Sequence, residues 1–116
     1  MPAAPQVHVG ASFTIQKNTF GIFLALEARD TSGAIVDISS ASNPTDKQIT
    51  LQKPDGTSTQ VNATFGTDGT DGVFQRLINT GELDDPGVWR IQGYLLLSSG
   101  FDGFTEVIEF SVLDNI

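Results

Sequence analysis

The sequence predicts an all-β protein: an antiparallel, immunoglobulin-like β-sandwich of about seven or eight short strands with an extended N-terminal arm. Three observations carry this expectation. Apolar residues recur with a period of two along most of the chain. Clusters of Gly, Pro, Asp, Asn and Ser return about every 8–12 residues, the spacing of turns in a sandwich. No segment shows the spacing of an amphipathic helix. The nearest, residues 80–85, makes one turn at most before Pro86-Gly87 ends it. A small barrel is the alternative architecture.

Residues 1–12 contain Pro2 and Pro5 and no sustained period, and read as the extended arm; residues 13–116 form a single domain. In the first strand Phe20, Ile22, Leu24, Leu26 and Ala28 share one face, with Gly21, Phe23, Ala25, Glu27 and Arg29 on the other. Asp30-Thr31-Ser32-Gly33 turns the chain, because Asp accepts from nearby amides and Gly tolerates positive φ. A short strand over 34–38 and a loop over 39–44 follow. Residues 47–53 form a strand with Ile49 and Leu51 inward, and Pro54-Asp55-Gly56-Thr57 is a hairpin turn. The returning strand is expected over 58–65, with Val61, Ala63 and Phe65 on one side. Residues 66–72 form a Gly-rich acidic loop, and 73–78 a further strand.

The longest later segment, 88–98, places Trp89, Ile91, Gly93, Leu95 and Leu97 inward and Arg90, Gln92, Tyr94 and Leu96 outward. Gly93 inside this strand implies a bulge or a close backbone approach. The last strand runs over 104–113, with Phe104, Ile108, Phe110 and Val112 inward and Glu106 breaking that face near an edge.

A chain of 116 residues can bury its own core without staples. It has no cysteine, which excludes disulfides and thiolate metal sites. Six Lys and Arg against fourteen Asp and Glu give 6 − 14 = −8. Lys17, Arg29, Lys47, Lys53, Arg76 and Arg90 are scattered singly, so no nucleic-acid partner is expected, since phosphate binding needs clustered cations. No apolar run approaches the roughly 18 residues of a membrane helix, and the N-terminus lacks the pattern of an export signal. No membrane partner is expected.

The residues that could carry chemistry are few. His8 is the sole histidine and lies in the arm, where nothing rigid would hold a general base. Glu27, Glu106 and Glu109 lie on strands and are read as solubilising or edge-guarding rather than as a hydrolytic pair. Asp68, Asp71, Asp84, Asp85 and Asp102 occupy loops that could supply oxygen to calcium, yet Asp and Gly also build tight turns, and no calcium-loop motif is present. No enzymatic activity, metal or cofactor is expected. Contact residues are sought instead in Pro2, Pro5, Val7 and Val9 of the arm and in Phe23, Leu96 and Phe101, apolar residues expected on outer surfaces.

One pattern is more specific. Residues 20–30 with Ser32-Gly33, then Ile35-Val36-Asp37-Ile38, then Ile49-Thr50-Leu51-Gln52-Lys53-Pro54-Asp55-Gly56-Thr57, and finally Pro86-Gly87-Val88-Trp89-Arg90, follow one another in an order that resembles a phage domain family. The chain is similar, over residues 13–112, to the immunoglobulin-like N-terminal domain of BppU-type upper baseplate proteins. The resemblance implies a virion structural protein without chemistry, assembled in the host cytoplasm, whose partners are other virion proteins and further copies of itself in a symmetric homo-oligomer. Tail or baseplate placement is suggested by the motifs; capsid decoration, as a cement protein on the outer shell, is the alternative suggested by the arm. A glycan- or host-surface-binding module, stacking sugars on Trp89, Tyr94 or Phe101, is the alternative from a different class.

Overall fold

Strands form where the period-two pattern is unbroken, and the described residues hold ten of them. The computed structural model describes residues 6–7, 14–30, 32–105 and 107–115. In chain order the strands are β1 (Gln6–Val7), β2 (Thr14–Gln16), β3 (Phe23–Arg29), β4 (Lys47–Gln52), β5 (Ser58–Asn62), β6 (Thr64–Phe65), β7 (Val73–Leu77), β8 (Gly87–Leu96), β9 (Asp102–Phe104) and β10 (Ile108–Leu113). A single 3₁₀ turn, Pro44–Asp46, precedes β4.

The smaller sheet has the order β1-β3-β7-β6, and the larger has β2-β10-β8-β4-β5 with β9 added to β8. This is the immunoglobulin arrangement, one sheet of the ABED kind facing another built on GFC. Here β5 extends the larger sheet beyond β4. All pairings are antiparallel except β2 with β10, which is parallel. The protein is therefore an all-β sandwich with one mixed sheet.

The core lies between the sheets, where Leu24, Leu26, Phe74, Ile49, Leu51, Trp89, Ile91, Leu95, Phe110 and Val112 are buried. Trp89 packs at 6.1 Å from the Phe110 ring centroid and donates its indole N–H to the Asp85 carbonyl at 2.8 Å, so its one polar atom is satisfied. Gly93 is a close approach of the expected kind. A Cβ there would stand 2.5 Å from Cζ of Phe74, so only glycine lets the facing ring reach the larger sheet.

The structure departs from the period-two reading in four places. The strand expected over 58–65 is two strands in different sheets. β5 pairs with β4 and β6 pairs with β7, and the chain crosses at Ala63, whose N–H donates to the Lys47 carbonyl at 2.9 Å. Phe20 is exposed rather than inward, because Gly21 (φ 78°) bends the chain and β3 starts only at Phe23. Residues 34–38 form one bridge, Arg29 to Ile35, and no strand. The segment is instead tied down by Val36 N–H to Ala28 O and Ile38 N–H to Gly69 O.

Phe104 points outward, not inward. Thr105 takes the inward position, donating its N–H to Gly93 O and accepting Gly93 N–H on Oγ1, both at 2.8 Å, so the alternation resets before β10. At the other end of the chain, Gln6 and Val7 of the segment read as an arm pair with Arg29 and Ala28 as an edge strand. Pro2, Pro5, Val9 and the expected edge position of Glu106 lie outside the described residues.

Candidate interaction surfaces

The sandwich turns two outer faces to solvent, and their chemistry differs. On the larger sheet, strand alternation sends Gln48, Thr50 and Gln52 of β4 outward beside Asn62, Gln60 and Ser58 of β5, their register partners. Gln92 stands next to Thr50 on β8. These side chains of β4, β5 and β8 are neutral and polar, and the exposed Val107 borders them. Gln48 donates to Asn62 Oδ1 at 3.0 Å, and Gln92 donates to the Thr105 carbonyl at 2.9 Å. Toward β10 the area is bounded by the exposed Arg90–Glu109 ion pair at 3.2 Å. Toward β9 it is bounded by an aromatic pair.

That pair is Tyr94 and Phe104, direct register partners with ring centroids 5.4 Å apart. Phe104 is 61% exposed and Leu96, one step along β8, is 40% exposed. The Tyr94 hydroxyl donates to Asp102 Oδ1 at 2.6 Å, and that carboxylate raises the phenol's pKa by stabilising its protonated form. Held in this way, the Tyr94 ring gives Phe104 a fixed backing.

On the smaller sheet the outward residues of β3 and β7 meet in register. Phe23 lies opposite Leu77, at 51% and 45% exposure, and together they make an apolar spot beside Thr64 and Gln75. Further along β3, Glu27 is paired with Arg29.

Of the residues expected to make contacts, Phe23 and Leu96 are exposed, but on opposite faces of the sandwich. Phe101 packs against the core, with its ring beneath Gly103. Val7 lies in β1, paired through its backbone to Ala28. Phe104 and Leu77 were not among the expected contact residues. Unbroken alternation through Thr105 would turn Phe104 inward; the reset at Thr105 turns it outward. The signal that could have revealed it is Gly93, a bare backbone position whose polar groups a polar residue on the neighbouring strand can reach. Leu77 carries little signal of its own in the sequence, because β7 is short and its side chain shares the outward face with Val73 and Gln75.

The candidate chemical groups are dispersed. Glu27 and Glu109 lie on opposite outer faces, each beside an arginine, and share no cleft. Asp68 and Asp71 serve their own turn, whereas Asp102 lies in β9 and binds Tyr94. Asp68 accepts from Thr70 N–H and Oγ1, and Asp71 accepts from Val73 N–H and Thr67 Oγ1. Those bonds hold Asp68 below the usual carboxylate range. Asp84 binds Lys53 at 2.8 Å, which lowers the carboxyl pKa and raises that of the ammonium. Among the described residues no three or more His, Asp or Glu side chains gather as metal ligands. Trp89, buried against the core, has no face free to stack on a sugar.

No protein-family model matches the sequence, and no curated protein matches it.

Proposed function

We propose that this protein is a non-enzymatic structural subunit of a phage virion, an immunoglobulin-like domain of the tail or baseplate that docks onto larger virion proteins. The observation that carries the reading is the pair of exposed apolar spots on opposite faces, Phe23 with Leu77 and Phe104 with Leu96. A domain with one spot on each outer face can hold two neighbours at once, as a joint in an assembly must. The immunoglobulin topology and the ordered motifs of the baseplate-like sequence pattern support the same reading.

The test is peptide mass spectrometry on purified particles of a phage whose genome carries this sequence, with heads and tails separated. Recovery with tails is expected. Recovery with heads would turn the reading to shell decoration, and absence from both fractions would overturn a virion role.

A second reading is favoured by one feature, the Tyr94–Phe104 pair standing beside the amide-rich face. Rings flanked by amide side chains suit a sugar, which offers C–H faces and hydroxyls together. Glycan-dependent retention on cells, lost in Phe104→Ala, would support that reading over a structural subunit.

A further inference from the structure

The edge of the larger sheet at β5 has an unusual combination of properties. It is five residues long, Ser58-Thr59-Gln60-Val61-Asn62, with no charge and no proline. Edge strands are commonly protected by lysine, proline or a bulge, because their free backbone groups template another strand. None of those devices is present here, and among the described residues nothing pairs with the outer side of β5.

The hydrogen-bond pattern fixes which backbone groups are free. Lys53 N–H donates to Thr57 O and Ala63 N–H to Lys47 O. In an antiparallel ladder bonded pairs alternate with non-bonded ones, so the odd-numbered residues of β5 bond to β4. The N–H and C=O groups of Ser58, Gln60 and Asn62 therefore point away from the sheet.

We infer that β5 pairs with β5 of a second copy of this chain, antiparallel about a two-fold axis at Gln60. Two facts on the molecule select this occupant. First, the free set is its own complement. Pairing Gln60 with Gln60, and Ser58 with Asn62 in both directions, matches every free donor to a free acceptor and makes about six backbone hydrogen bonds. A shift by one residue would set the free groups of one strand against already bonded groups of the other. Second, the net charge of −8 opposes the approach of an identical chain at most surfaces. The opposition is least here, because β5 and the adjoining outer positions Gln48, Thr50 and Gln52 of β4 carry no ionised side chain. The joined assembly is one continuous sheet running through both copies.

This pairing stands apart from any virion role and is tested on the isolated full chain. Sedimentation equilibrium over micromolar to millimolar concentration should show a monomer–dimer equilibrium. Gln60→Lys sets two ammonium groups face to face at the axis and should weaken dimerisation about a hundredfold. Gln60→Pro removes only an outward N–H, so it should abolish the dimer while leaving the melting temperature close to that of the parent. The absence of cysteine gives a register test. Bonded antiparallel partners stand about 5.5 Å apart at Cα, within disulfide reach. Gln60→Cys should thus oxidise to a covalent dimer much faster than Thr59→Cys. A monomer at every concentration, a dimer indifferent to Gln60→Lys, or equal cross-linking of the two cysteine variants would each overturn the inference.

Discussion

Lys47 and Arg76 are both buried cations near the place where the chain crosses from one sheet to the other, yet they are held in opposite ways. Among the described residues the Lys47 ammonium forms no ion pair, and the charge of neighbouring Asp46 only partly offsets its desolvation. The ammonium donates to the Ala41 carbonyl at 2.9 Å and lies 4.3 Å from the Phe65 ring centroid, and burial pushes its pKa down. Arg76 is paired with Glu82 and donates through Nη1 to the Thr59 carbonyl at 3.3 Å. Burial lowers its pKa as well, with Glu82 opposing that shift. Its Nε has no hydrogen-bond partner among the described residues. A point charge on a flexible stem can be served by a carbonyl and a ring. A planar fork needs an anion and several acceptors placed around it, and one position is left over.

The contrast leads to different mutational costs. Glu82→Ala leaves the Arg76 guanidinium buried without its counter-charge and should cost about 3 kcal/mol of stability in urea unfolding. Arg76→Met removes the buried charge together with the pair, so it should cost less than Glu82→Ala. A larger loss for Arg76→Met would mean that its packing, not its charge, holds the crossing.

Lys47→Met keeps the aliphatic stem but loses the ammonium's place over the Phe65 ring and its hydrogen bonds to the Ala41 and Asn43 carbonyls, a change expected to cost about 1 kcal/mol at neutral pH. Its cost should grow as pH rises toward 10.5. In that window the unfolded chain binds more protons at this site than the native one, since the native pKa is the lower, so the parent gains stability with pH and the Met variant lacks the gain. Unfolding of both proteins at pH 7 and pH 10 measures it, and a cost that shrinks with pH would show that Lys47 is not desolvated as described.

The smallest effect belongs to an exposed pair. Asp84→Asn breaks the bond to Lys53 in a solvated setting, and only a slight fall in unfolding midpoint is expected at neutral pH and physiological salt. The Asp84 carboxyl has a depressed pKa, so what stability it supplies is present above the ordinary carboxylate range and lost as pH falls through its native value. Parent and variant should therefore converge in acid.

Much of the fold was readable in advance. The β8 face with Trp89, Ile91 and Leu95 inward, the hairpin at 54–57 and the tight site at Gly93 all follow from local rules: alternation, turn chemistry, and the meaning of glycine in a strand. Phe23 and Leu96 as exposed apolar residues were legible for the same reason, whereas the separation of the two onto opposite faces was not. Nothing in a run of residues says to which sheet its strand belongs.

The features that only the tertiary structure decided share one cause: they depend on partners distant in sequence. The crossing at Ala63 is set by the Lys47 carbonyl. The outward turn of Phe104 is set by Thr105 binding Gly93, and the burial of Arg76 by Glu82 and Thr59. The parallel pairing of β2 with β10 and the open edge at β5 are likewise properties of strand order. Periodicity and turn residues are local quantities and suffice to place strands, turns and inward faces. Sheet membership, buried charge and free edges arise from which segments meet, and that choice is made by the packing of the whole chain.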